Sequence, residues 1–176
     1  MSDPHNINRY GEVWNQEKID ICLSELEYLK DDIILSGGWA WHFISPRNHK
    51  ELKHAHDHKD IDIFVYPEKT VDTIQTLITH GFRKVSTRFD NPSNKESFRR
   101  YVKNVKGTKV IVDFFIKKIS YIEIDGWKVV EPSQLIQLYK SIHTSKNCFA
   151  VVSAEKLLNK GINILHREEL MQPTIV

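Results

Sequence analysis

Apolar residues along this chain recur in two rhythms that alternate from end to end. Between Gln16 and Leu29, Ile19, Leu23, Leu26 and Leu29 fall three or four apart, which predicts an amphipathic helix. Asp31-Asp32 interrupts it, and Ile33 to Ser36 reads as a short buried strand. Trp39 to Ile44 predicts a short helix ended by Pro46, and 46–57 a polar loop. Asp60 to Tyr66 is the second expected strand, and Val71 to His80 a helix closed by Gly81. Three further strands are expected at Phe82–Arg88, Ser97–Val105 and Thr108–Ile116, the last two a hairpin about Lys106-Gly107. Asp125-Gly126 between Ile122–Ile124 and Trp127–Val130 signals another hairpin, since both residues tolerate the positive φ of a primed turn. Pro132 opens a helix carrying Leu135, Leu138, Tyr139 and Ile142; Ser153 is the expected N-cap of a last one carrying Leu157, Leu158, Ile162 and Leu165. The fold class expected is α/β (α+β), a mixed sheet flanked by helices with a small helical C-terminal part. Residues 1–130 would form the core and 131–176 a helical segment of the same domain.

Two segments stand out chemically. The first strand runs into Ser36-Gly37-Gly38, and glycines allow a ligand to approach backbone that a Cβ would shield. The helix that follows offers outward-pointing N–H groups to an anion. The second strand carries Asp60 and Asp62, whose i, i+2 spacing puts both carboxylates on one face and Ile61, Ile63 and Val65 on the other. Aspartate is disfavoured within strands, so two on one face need a reason. Paired carboxylates beside a phosphate-sized turn suit metal-assisted phosphoryl or nucleotidyl transfer.

Those residues carry a resemblance. Ser36-Gly37-Gly38-Trp39-Ala40 followed by His58-Lys59-Asp60-Ile61-Asp62 resembles the nucleotidyltransferase superfamily with its DNA polymerase beta-like fold, most closely the small aminoglycoside and lincosamide nucleotidyltransferases. It is strong from about Leu35 to Val65 and extends through Phe115. It implies catalytic, metal-holding Asp60, Asp62 and Asp113, two magnesium ions (or manganese), and nucleoside triphosphate, with ATP the expected donor, near Ser36, Gly37, Gly38, Trp39 and His58. Lys140 and Lys156 are candidate phosphate ligands; ordinary surface lysines are the alternative. Two departures stand: the Gly38–Asp60 interval is longer than in the antibiotic enzymes, and the last helix reads Asn159-Lys160-Gly161-Ile162-Asn163 where the family often has a Lys-Asp pair.

Asp113 has its own alternative. It sits in Val110–Ile116, an apolar strand where an unpaired carboxylate is costly, so it could be a buried partner of Arg99 or Arg100. Glu96 and Glu123 would then be substitutes. His54, His56 and His58 alternate, with His49 nearby, and could bind zinc or nickel in an extended loop; solvated loop histidines are the plainer reading.

Composition narrows the rest. A chain of 176 residues with 27% charged and 40% hydrophobic residues is an ordinary globular domain. The net charge of +2 does not by itself demand nucleic acid. The basic middle (Lys53, Lys59, Lys95, Arg99, Arg100, Lys103, Lys106, Lys109) reads as solvated strand faces or as a positive wall for triphosphate or RNA. Cys22 and Cys148 lack metal-type spacing, Cys22 reads as a buried thiol, and a reducing cytoplasmic setting is expected. The expected function is transfer of a nucleoside monophosphate to an acceptor hydroxyl with release of pyrophosphate. The acceptor could be a small molecule, or tRNA or protein as for a toxin-type enzyme. A non-catalytic nucleotide- or RNA-binding module on the same fold is the alternative of another class.

Overall fold

A computed structural model describes residues 12–45, 57–87, 98–141 and 150–156. Helix α1 (Gln16–Leu26) starts where the Asn15 side chain accepts from the Lys18 N–H, and it buries Ile19, Cys22 and Leu26. A 3-10 turn at Glu27–Leu29 tightens its end and hands the chain to β1 (Ile34–Leu35). Helix α2 (Gly37–Ile44) follows at once, then β2 (Ile61–Val65), α3 (Thr70–Thr79) and β3 (Arg83–Val85). The long hairpin β4 (Phe98–Val105) and β5 (Thr108–Ile116) comes next. A short hairpin, β6 (Tyr121–Ile124) and β7 (Trp127–Val130), leads to α4 (Pro132–Lys140). Both hairpins turn through two residues of positive φ, Lys106-Gly107 and Asp125-Gly126, as primed turns require.

The seven strands form one sheet in the order β3-β4-β5-β2-β1-β7-β6. Strands β1 and β2 run antiparallel, whereas β2 pairs β5 and β1 pairs β7 in parallel, so the sheet is mixed. Ile61, Ile63, Val65, Val110, Val112 and Phe114 are buried in one core with Ile19, Cys22 and Leu26 of α1 and Trp39 and Trp41 of α2. Leu135 of α4 is fully buried in the same core. Burial pushes the Cys22 thiol up to about 12, with Glu25 adding to the shift, so it stays protonated, as expected of a core cysteine.

Two expectations are corrected. The glycines lie within α2, not before it, because its first turn closes from Ser36. Ser153 lies inside a helical stretch that already runs over 150–156, fully buried and, among the described residues, with no hydrogen-bond partner for its hydroxyl, so it is not an N-cap. The rest of the expected last helix, Cys148 and the loop histidines His49, His54 and His56 lie outside the described residues.

Candidate active site

Strand register builds the site. Asp62 on β2 lies directly beside Asp113 on β5, and Asp113 lies directly opposite Arg100 on β4. On the other side of β2 the Ser36 N–H donates to the Asp62 carbonyl at 2.8 Å. Cross-strand partners share a face of the sheet, so Arg100, Asp113 and Asp62 form a row that ends at the start of α2. Asp60 lies in the bend just before β2, not inside the strand as the sequence suggested, and two residues ahead of Asp62.

Electrostatics tie the row together. The Arg100 Nε donates to Asp113 Oδ1 at 2.6 Å and Nη2 to Oδ2 at 2.9 Å, a bidentate pair. The same Nη2 lies 3.5 Å from Asp60 Oδ2. Asp113 is only 6% exposed, so its charge requires this partner. Burial pushes the Asp60 carboxyl above its ordinary range, and the Asp113 charge pushes it the same way. Among the described residues its Oδ1 is buried without a hydrogen-bond partner.

The two glycines do different things. Gly37 has φ +57°, and a Cβ there would lie 2.6 Å from Asp62 Oδ2, so the Asp62 carboxylate rests against the first turn of α2. The Ser36 side chain makes no capping bond. That end of the helix therefore presents backbone N–H groups beside a carboxylate pair. Gly38 meets backbone instead: a Cβ there would fall 1.9 Å from the Asp57 carbonyl oxygen. It is the point where the segment before β2 crosses α2, so the space its missing Cβ leaves is taken by backbone.

Trp39 and His58 hold that crossing. Trp39 is completely buried and its indole N–H donates to the His58 carbonyl at 3.2 Å, which takes it away from the nucleotide contact expected of it. His58 is also completely buried. Its Nδ1 accepts from the Trp14 N–H at 3.1 Å, and its Nε2 faces His42 Nδ1 at 3.3 Å. Accepting at Nδ1 puts the proton on Nε2, which donates to His42. Burial, reinforced by His42, pushes the His58 pKa down to about 3. His58 is thus fixed inside the protein, between α2, Trp14 and the segment before β2. Asp57 ties the same segment, accepting at Oδ1 from the Glu12 and Lys59 N–H groups at 3.0 and 3.1 Å.

The remaining candidates separate. Lys140 pairs with Glu155 at 3.8 Å, joining the end of α4 to the 150–156 helix, and Lys156 is exposed there. Glu123 faces Lys128 on the β6–β7 hairpin at the far edge of the sheet, so it is no substitute for Asp113. Glu96 lies outside the described residues. Among the described residues the basic middle is not one wall: Arg100 faces the aspartates, while Lys103 extends from the opposite face to Glu25 of α1; Lys53 and Lys95 lie outside the described residues. Tyr139 of α4 went unsuspected in the sequence; burial pushes the pKa of its hydroxyl up, and the negative charges of Asp62 and Asp57 push it the same way.

Three carboxylates are a hard-oxygen donor set of the kind magnesium takes, and among the described residues Asp60 Oδ1 is buried with no hydrogen-bond partner. Among the described residues, however, no three such side chains converge on one point, because Arg100 holds Asp113. The residues thus fit an ion shared by Asp60 and Asp62, completed by water and phosphate.

No protein-family model matches the chain, and no curated protein matches it significantly in sequence. Its fold does match solved structures. The lincosamide antibiotic adenylyltransferase LnuA, lincomycin-bound, aligns with TM-score 0.54 at 14% identity, over 82% of this chain and 98% of that one. ANT(2'')-Ia in complex with adenylyl-2''-tobramycin aligns with TM-score 0.51 at 12% identity, over 91% and 100% of the two chains. The chain has the nucleotidyltransferase fold, in the form shared by small antibiotic nucleotidyltransferases.

Proposed function

We propose that this protein is a nucleotidyltransferase that moves a nucleoside monophosphate from a nucleoside triphosphate to an acceptor hydroxyl and releases pyrophosphate. The single observation that carries this reading is the row Arg100–Asp113–Asp62, with Asp60 beside it, ending at the start of α2 on a nucleotidyltransferase sheet. Asp60 and Asp62 would hold a divalent ion, magnesium or manganese. That ion supplies Lewis-acid neutralisation of phosphate charge. The backbone N–H groups of Gly37 and the rest of the first turn of α2 hold the triphosphate, with the Ser36 hydroxyl beside them. The acceptor oxygen forms a bond to the α-phosphorus, the bond from that phosphorus to the α,β-bridging oxygen breaks, and pyrophosphate leaves with its electron pair. The Asp113 carboxylate takes the hydroxyl proton. Lys140 and Lys156 lie on the C-terminal helices, and only the first turn of α2 is supported here as a phosphate contact.

ATP is the first donor to test. The fold neighbours carry lincomycin and adenylyl-tobramycin, so a small hydroxylated molecule is the first acceptor class; RNA and protein form the second. Residues 1–130 and 131–176 act as one domain in this reading, supported by Leu135 of α4 in the common core. A cytoplasmic setting suits a nucleotide-dependent enzyme, and no described helix is long and apolar enough to cross a membrane.

The decisive experiment supplies each α-labelled ribonucleoside triphosphate with magnesium to the pure protein, against a panel of hydroxylated antibiotics, total RNA and cell extract. Label passing to one fraction, and lost with Asp62→Asn, is the expected result. Nucleotide binding without transfer to any fraction would favour the binding-module reading instead.

A further inference from the structure

Arg100 is a residue that the expected chemistry leaves without a role. Its Cα is fixed directly across the β4–β5 ladder from Asp113, and its guanidinium donates to both oxygens of that carboxylate, at 2.6 and 2.9 Å. The outer nitrogen also reaches Asp60 at 3.5 Å. The fork therefore lies between Asp60 and Asp113, where a second ion bridging those two carboxylates would have to sit. A guanidinium never loses its proton in a protein and matches a carboxylate in a planar, two-bond geometry that an ion would have to displace whole. Once displaced, it would remain a positive charge beside the ions that replaced it. By contrast, Asp60 Oδ1 is buried and, among the described residues, without a hydrogen-bond partner, and Asp62 follows two residues on, at the start of β2. Three carboxylates, one guanidinium and one divalent ion sum to neutrality.

We propose that Arg100 is the built-in cation of this site: it takes the place of a second divalent ion between Asp60 and Asp113, so that the protein with its nucleotide holds one ion, on Asp60 and Asp62. This rests on the reading of Asp60 and Asp62 as ion ligands. Asp113 is then kept as a carboxylate by a fixed charge, and the acceptor meets Arg100 and Asp113 instead of a metal-bound oxygen.

The test counts manganese against nucleotide bound to the full-length protein by equilibrium dialysis. The probe is a mixture of the α,β-methylene analogues of the four ribonucleoside triphosphates with excess manganese. The expected ratio is one ion per bound nucleotide in the wild type, and two in Arg100→Gln, which vacates the position between Asp60 and Asp113. Arg100→Lys keeps the charge and should stay at one. That variant and the wild type carry the test should Arg100→Gln not fold by circular dichroism. A ratio of two in the wild type or in Arg100→Lys, or of one in folded Arg100→Gln, overturns the proposal. Asp62→Asn separates the two readings, because its ratio should fall below the wild-type value. If the Asp62→Asn ratio matches the wild type, or no variant binds nucleotide, the Asp60–Asp62 ion reading itself fails, and this inference with it.

Discussion

Asp113 is where the structural reading and the proposed catalytic one meet. It is a buried partner of Arg100, and it is also the neighbour of Asp62 in the row that ends at the start of α2. Asp113→Asn keeps the volume but leaves the guanidinium facing an amide. The Arg100 side chain is 27% exposed and partly solvated, so the expected cost is about 1–3 kcal/mol, below that of a fully buried pair. Transfer should fall by about 10²-fold or more, since the acceptor's proton loses its receiver. Urea unfolding and turnover on one purified variant read both; full activity would remove Asp113 from the mechanism. His58 governs a different property. Folded, it stays neutral down to about pH 3, while in the unfolded chain it takes a proton near pH ~6.5. The unfolded state thus binds the extra proton between those values. The stability His58 contributes is complete above pH ~6.5 and is lost as pH falls towards its folded pKa. The urea midpoint of the wild type should drop between pH 7.5 and 5.0 by more than that of His58→Gln. Equal drops would show that the ring does not set the acid response.

At the scale of elements, the turn from β1 into α2 concentrates the constraint. Its adjacent glycines are predicted to fail in opposite ways. In Gly38→Ala the new methyl would overlap the Asp57 backbone, which cannot turn aside, so a loss of about 4 kcal/mol or more, or no folded protein, is expected. In Gly37→Ala the clash is with the end of the Asp62 side chain, which can rotate. The left-handed backbone should then cost about 1–2 kcal/mol while transfer is lost through the displaced carboxylate. Melting curves and activity of the two variants check this; a stable Gly38→Ala would show that the 57–59 segment can move off the helix. The sequence announced the Gly-Gly pair but not this division of labour, because a Cβ clash depends on which backbone crosses above. The same holds for Arg99 and Arg100. Their neighbouring positions point to opposite faces of β4, and only the register with β5 says which of them meets Asp113.

Across the whole molecule, ligand binding should report on the fold. If the triphosphate and its ion bind only the native state, saturating magnesium and nucleotide at about 100 times Kd add about 2.7 kcal/mol. For a chain of this length that raises Tm by roughly 5–10 °C. The rise should vanish with a chelator and in Asp62→Asn; a chelator-insensitive rise would argue against ion-assisted phosphate binding. The periodicities by themselves determined the element order and the mixed α/β class, because strand and helix spacing is a local property of the backbone. The hairpin turns were equally local, set by residues that accept positive φ. The tertiary structure alone decided what those residues meet. Trp39 and His58 became a buried clamp because the chain before β2 folds back over α2. Arg100 became part of the site because β4 and β5 pair in one register, which put a guanidinium between two carboxylates where the motif had suggested only metal. Contacts between segments far apart in sequence are fixed by register and crossing, and no single segment encodes them.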